Sequence, residues 1–267
     1  MKTQQIKVGP STRVKTAFTR KLLRWWSRAA RDLPWRRTRD PYRVLVSEFM
    51  LQQTQVSRVA EYYPRFLERF PDLESLASAP ARAVREAWDG LGYYARARNL
   101  HALAKQVAGK GVAGNGVPGD GVGRLPEDPK ELIKLPGIGP YTAGAVASFA
   151  YERAVPAVDT NVARVITRVF LGSNRQRLTR ERPTRQRSTR QRSIPARLIW
   201  SIAASLVPRN GKRAWKFNQA LMELGALICV ARKPRCPECP VRPVCRTGKD
   251  SMSLPRTLSR APRVTRG

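Results

Sequence analysis

Four cysteines and two carboxylates carry most of the chemistry this sequence could perform. The cysteines form the tightest group: Cys229, Cys236, Cys239 and Cys245 are separated by six, two and five residues. Four thiolates in one short stretch suit either a zinc ion or an iron–sulfur cluster. Structural zinc sites usually show two close pairs, and only Cys236 and Cys239 make one here, so the spacing leans towards a cluster without excluding zinc. Lys233, Arg235, Arg242 and Arg246 add positive charge, which favours thiolates and offers contacts to a polyanion. The carboxylates are Glu48 and Asp159. Glu48 sits in an apolar run with Val44, Leu45, Val46, Phe49, Met50 and Leu51. Burial there would raise its pKa and keep a proton available near neutrality. The plainer alternative is a helix-surface Glu paired with Arg43 or Arg58. Asp159, followed by Thr160 and Asn161, reads as a helix cap, a role that also holds a carboxylate in place. A third feature binds rather than reacts. Residues 135–143 read LPGIGPYTA, with Gly137 and Gly139 expected to take backbone angles closed to other residues. Backbone N–H groups there can reach a phosphate at the start of the next helix.

The elements that must position these groups are helical nearly throughout. Phe18, Leu22, Trp25 and Ala29 fall on one helical face. Asp40-Pro41 marks a helix start, and the helix it opens carries Val44, Leu45, Phe49 and Leu51. Phe66, Phe70, Leu73 and Leu76 predict further helix broken at Pro64, Pro71 and Pro80. Leu198, Ile202 and Leu206 make another stripe, as do Phe217, Leu221, Leu224 and Ile228. Val155–Val165 is β-branched, but Pro156, Asp159 and Asn161 fit a turn into a helix better, and no alternating strand pattern of useful length occurs. Two segments read as insertions. Gly109–Gly123 holds seven glycines and predicts a flexible loop. Ser173–Ser193 repeats TRQRS, carries eight arginines against Glu181 alone, and is expected to be disordered in isolation while still able to hold phosphates.

Composition bounds the partner. The chain has 267 residues, enough for one large domain or two modest ones. Fifty-one Lys and Arg against 19 Asp and Glu leave a formal charge of +32, which points to a polyanion, most simply nucleic acid. A 42% hydrophobic content with six Trp excludes a wholly disordered chain. No apolar run is long enough to suggest a transmembrane helix, and Met1–Pro10 lacks the apolar core of an ordinary signal peptide. Clustered cysteines in an intracellular chain favour metal over disulfides. The single histidine, His101, lies in a helical RNLHALA run and is expected to be structural, with no serine or cysteine triad around it.

Several motifs, in one order, carry a resemblance. They are LPWR at 33–36, SEFMLQQTQV at 47–56, GLGYYARARN at 90–99, LPGIG at 135–139, VDTNV at 158–162, FNQALMELGA at 217–226 and the four cysteines. The chain resembles the helix-hairpin-helix DNA glycosylases that carry an iron–sulfur cluster and, among these, adenine glycosylases of the MutY type. The resemblance covers Leu33 to Cys245 apart from the two insertions. It implies an all-α fold of two helical domains. Residues 34–151 would form a six-helix barrel with the helix-hairpin-helix. Residues 152–246 would form a [4Fe–4S] cluster domain with an Arg-rich insertion at 173–193, completed by the N-terminal helix within residues 1–33. Residues 247–267 would be a basic tail without assigned fold.

The same resemblance implies roles. Glu48 protonates adenine at N7, and Asp159 stabilises the cationic sugar or forms a transient covalent adduct with it, oriented by Asn161. Tyr141 stands where lyase-active relatives carry a Lys, so no imine with the sugar can form, and its hydroxyl is expected near the sugar and Asp159. An enzyme acting on a paired base must extrude it. Gln53 and Tyr93 are implied to enter the base stack, with Leu51, Gln52 and Thr54 lining the site, Arg36 and Glu223 at further active-site positions, and Gly137 and Gly139 on the phosphate. Cys229, Cys236, Cys239 and Cys245 would ligate the cluster. Thr160, where many relatives have Gly, departs from the pattern beside the catalytic aspartate. The expected partner is double-stranded DNA containing a mismatch, with adenine opposite 8-oxoguanine or guanine. The protein would be a monomer without membrane association, in a bacterial or archaeal cytoplasm or a nucleus. Three alternatives stand beside this reading: a G·T mismatch thymine glycosylase of the same superfamily, an endonuclease III type disfavoured by Tyr141 and Glu48, and a non-catalytic iron–sulfur DNA-binding protein disfavoured by the presence of both carboxylates. The sequence ends about 22 residues after Cys245, too few for the C-terminal domain with which adenine glycosylases recognise oxidised guanine. A weaker preference for oxidised over normal guanine is therefore expected.

Overall fold

The computed structural model describes residues 10–109, 124–172 and 194–250. Among them are twelve α-helices and no strand. The Gly-rich and Arg-rich insertions (110–123 and 173–193) and the tail after 250 lie outside the described residues.

The helices start where local chemistry favours it. Helix α1 (Thr12–Ala29) buries Phe18 and Leu22, two positions of the expected face. Helix α2 (Pro41–Leu51) opens at Asp40, whose side chain accepts the Arg43 N–H at 2.8 Å, with Pro41 in its first turn. Helix α3 (Val56–Arg69) runs through Pro64 rather than breaking there. One missing N–H is tolerated because Val59, Tyr63 and Phe66 bury the same face. Pro71 does separate α3 from α4 (Leu73–Ser78), and Pro80 caps α5 (Ala81–Ala87). Next come α6 (Ala95–Gly109), a single turn α7 (Pro129–Leu132) and α8 (Pro140–Phe149). The Val155–Val165 stretch is a turn into α9 (Thr160–Ile166), capped by Asp159. Helices α10 (Ala196–Leu206), α11 (Gly211–Leu227) and α12 (Arg246–Asp250) complete the order.

Two hydrophobic cores result. The first joins α2 to α8 around Leu45, Phe49, Phe66, Trp88, Leu100 and Val146. The second joins α1 to α9, α10 and α11 around Phe18, Leu22, Ile166, Ile202, Phe217 and Leu224. Helix α1 therefore packs with the chain's C-terminal half, against α11. Helix α11 also serves the first core through Trp215, whose ring meets Trp26 edge-on at 5.6 Å. Glu48 is on α2 in the first core and Asp159 caps α9 in the second, so the two carboxylates meet where the cores adjoin.

Candidate active site

A cleft of about 810 Å³ opens between the cores. It gathers Arg36, Glu48, Leu51, Gln52, Gln53, Thr54, Tyr141, Asp159, Asn161 and Glu223 from segments far apart in sequence. Tyr93, Gly137 and Gly139 do not line it.

Glu48 is buried (3% exposed) and contacts neither Arg43 nor Arg58. Its carboxylate accepts a 2.6 Å hydrogen bond from the Tyr141 hydroxyl. Burial pushes the Glu48 carboxyl up to about 7; the Tyr141 bond and Arg36 oppose the rise, and the charge of Asp159 assists it. Burial and the neighbouring carboxylates likewise hold the Tyr141 phenol well above its usual range, so it stays a donor. The phenol thus bonds Glu48 rather than Asp159, because α2 and α8 pack directly on each other while Asp159 is occupied by its own helix.

Asp159 uses both carboxylate oxygens. Oδ1 accepts the Val162 N–H at 2.6 Å as the cap of α9, and Oδ2 accepts the Asn161 side-chain amide at 2.9 Å. Thr160 is the exposed first residue of α9 and lines the cleft beside it. Asn161 is held in turn by Arg164, which donates to its Oδ1 at 2.6 Å and to the Gly225 and Cys229 carbonyls at 2.8 Å each. Gly225 makes this possible: a Cβ there would lie 2.7 Å from the Asn161 Cβ.

Glu223 carries the opposite charge state to Glu48. It is also buried (1% exposed) but takes bidentate bonds from Arg31 at 2.8 Å each and one from Arg36 at 2.8 Å. Burial alone would raise its carboxyl, yet the two guanidiniums outweigh it and hold it down at about 2. Arg36 also bonds Gln219 at 2.9 Å. The cleft thus holds one carboxyl, Glu48, that keeps a proton near neutrality and one, Glu223, that is locked ionised.

Gln53, at the rim of the cleft, and Tyr93, outside it, stand on neighbouring loops, both exposed and both at positive φ (59° and 47°). A groove of about 570 Å³ is lined by Gln53, Thr54, Arg58, Gly90, Leu91 and Gly92. In the hairpin only Gly137 takes the left-handed region (φ 75°), where a Cβ would also strike Asn99 at 2.7 Å. Gly139 corrects the expectation: it caps α8 at φ −94°, an angle open to any residue, with free space around it.

The four cysteines are free, half-buried and line one small apolar pocket of about 30 Å³ with Val165, Leu224 and Ile228. Burial pushes the Cys239 thiol up to about 11, and the other three thiols press the same way. Arg168 reaches Cys229 Sγ at 3.5 Å, and the Gly248 N–H donates to Cys245 Sγ at 3.3 Å. Among the described residues no three His, Cys, Asp or Glu side chains are grouped closely enough to hold a single metal ion.

Three cations escaped the sequence reading: Arg31, Arg164 and Arg96. Arg96 belongs to a quoted motif and Arg31 and Arg164 each stand two residues from one, but their roles depend on oxygens distant in sequence. Trp200 and Ile199 of α10 also line the cleft; they stand beside the Leu198, Ile202 and Leu206 stripe and were not singled out from the sequence.

Residues 46–189 match the family model of the HhH-GPD superfamily of base excision DNA repair proteins. The chain belongs to this superfamily. Within it, the chain is 42% identical over 240 residues to the adenine DNA glycosylase of Rattus norvegicus, covering 86% of this chain and 42% of that protein. It is 44% identical over 221 residues to the adenine DNA glycosylase of Mycolicibacterium smegmatis, covering 82% and 66%. The chain therefore spans less than two thirds of the length of these relatives. Among solved structures, a thermostable thymine-DNA glycosylase superposes with a TM-score of 0.73 at 29% identity, covering 89% of this chain and 98% of that one. The all-α superfamily fold agrees with the helical reading of the sequence.

Proposed function

We propose that this chain is a base-excision DNA glycosylase that hydrolyses the N-glycosidic bond of adenine mispaired with 8-oxoguanine or guanine and leaves the strand uncut. The observation that carries the reading is the buried Glu48, hydrogen-bonded to Tyr141, in one cleft with an Asp159 whose carboxylate is fixed from both sides. Breaking this bond needs an acid for the leaving base and a negative charge for the sugar. Neutral Glu48 gives its proton to N7 of an extruded adenine. The C1′–N9 bond then breaks, its electron pair leaves with the base, and positive charge develops on the sugar beside Asp159. Water adds at C1′ and loses a proton, leaving free adenine, an abasic site and a carboxylate at Glu48 that is protonated again from solvent. Tyr141 has no amine, so no imine with the sugar forms and the strand survives. The names of the curated relatives support adenine as the base.

The rest of the reading follows the same lines. Double-stranded DNA is the partner, which the charge of +32 suits, and the protein acts where DNA is, in a bacterial or archaeal nucleoid or a nucleus. Gln53 and Tyr93 enter the stack, and the Gly137 turn approaches a phosphate. Cys229, Cys236, Cys239 and Cys245 hold a [4Fe–4S] cluster with a structural role. The donor set fits: all four thiols line one pocket, and four thiolates are the ligand set such a cluster takes. Residues 34–151 and 152–246 form the barrel and cluster domains, the latter completed by α1, and one chain suffices.

The test is a panel of four labelled duplexes: adenine opposite 8-oxoguanine, adenine opposite guanine, thymine opposite guanine, and a matched control. Each is read with and without alkali. Alkali-dependent breaks at adenine are expected. Breaks at thymine would assign the thymine reading, and breaks without alkali would contradict the monofunctional assignment.

A further inference from the structure

Arg96, near the start of α6, is 7% exposed, and its guanidinium meets no carboxylate among the described residues. It is spent instead on the oxygens of two loops. Nη1 donates to the Phe49 and Met50 carbonyls at 3.0 and 2.7 Å and to that of Gln52. Nη2 donates to Thr54 Oγ1 at 3.0 Å and to the Leu91 and Gly92 carbonyls at 3.1 and 3.0 Å. Nε reaches the Tyr93 carbonyl, which also accepts the Arg96 backbone N–H at 2.9 Å. The cation lies over the rings of Trp88 and Tyr93, 5.4 and 5.5 Å from their centroids.

The first of these loops closes α2 and carries Gln53; the second opens α6 and carries Tyr93. Both residues are exposed at positive φ, a conformation that side chains of this size hold only when their surroundings impose it. The Phe49 and Met50 carbonyls belong to the last turn of α2, which has no N–H groups of its own to satisfy them and is the negative end of that helix. A planar guanidinium can fan donors to both loops at once, and a lysine ammonium cannot. We propose that Arg96 is a positioning residue that locks the two loops into one rigid wedge, so that Gln53 and Tyr93 enter a duplex as a fixed pair and drive extrusion of the target base. Without it each loop must be ordered separately when DNA binds, and the loss falls on extrusion rather than on bond cleavage.

This inference rests on the glycosylase reading, and its test separates the two. Single-turnover adenine release is compared on a mismatched duplex and on DNA whose target adenine is already unpaired in a bulge. Extrusion is followed in parallel by the fluorescence of 2-aminopurine at the target position, and thermal melting reports the fold. Arg96→Lys is expected to slow release from the duplex about tenfold or more, and to weaken the 2-aminopurine signal, while release from the bulge changes less than about twofold. Arg96→Gln, whose neutral amide buries no charge and reaches fewer of these oxygens, is expected to show the same split and serves if Arg96→Lys does not fold. Equal loss on both substrates, or no loss on either, overturns the inference. If the native protein releases no adenine at all, the glycosylase reading fails, and the 2-aminopurine signal alone decides: an unchanged signal in the variants overturns the wedge, and a weakened one upholds it.

Discussion

The proton that Glu48 keeps near neutrality comes from burial working against the Tyr141 hydrogen bond. Two expectations follow at the residue scale. Activity should fall as pH rises through about 7, where Glu48 loses that proton. Because the phenol's bond lowers the Glu48 pKa, Tyr141→Phe should move this descending limb to higher pH in a single-turnover pH–rate profile; a limb that stays put or moves down would show that the bond does not set it. Stability carries the same signature. The folded value of about 7 exceeds the ordinary 4.5, so the contribution of Glu48 is present below about pH 4.5 and lost as pH rises through about 7. Glu48→Gln removes that dependence. Between about pH 5 and pH 8 the variant should gain roughly 2 kcal/mol on the native protein in denaturant titrations, while losing activity by a factor on the order of a hundred or more.

At the scale of elements, the crossing of α9 on α11 fixes Asp159. Arg164 ties Asn161 to the Gly225 and Cys229 carbonyls, and the missing Cβ of Gly225 admits Asn161. Gly225→Ala should push α9 from α11, destabilise by about 1–3 kcal/mol and reduce base release far more than DNA binding. Equal loss of both would place the effect elsewhere. The ion triad of Arg31, Arg36 and Glu223 clasps the segment after α1 to α11. Glu223→Ala leaves two guanidiniums without their anion and should cost about 3–5 kcal/mol, read by denaturant unfolding. Much of this level was legible beforehand. The stripes of α1, α10 and α11, the Asp40 and Asp159 caps and the turn at Gly137 follow from spacing and local chemistry alone. Pro64 inside α3 and the ordinary φ of Gly139 were not legible, because packing of a buried face and free space around a glycine are set by the rest of the fold.

At the scale of the whole molecule, two cores create the cleft that neither forms alone, and Glu48 and Asp159, the carboxylates of the proposed reaction, come one from each. Glu48, Asp159, Tyr141 and Arg36 could be named from motifs, but not that the phenol bonds Glu48 or that Arg31 joins Arg36 on Glu223. Those contacts join residues as much as 192 positions apart and leave no periodic trace in the sequence. Charge acts at this scale too. With a net +32, affinity for any duplex should fall steeply with salt, and titrations should give nearly the same slope for mismatched and matched DNA, since phosphates are shared and base contacts are not. Slopes that differ strongly between the two would contradict that division. The most direct test of the account compares free-base release from an adenine–guanine mismatch by the native protein, Glu48→Gln and Asp159→Asn, with DNA affinity measured alongside. Release of adenine by the native protein, and its loss in both variants while affinity is retained, is the expected result. Undiminished release by either variant, or release of thymine from a thymine–guanine mismatch in place of adenine, would contradict it.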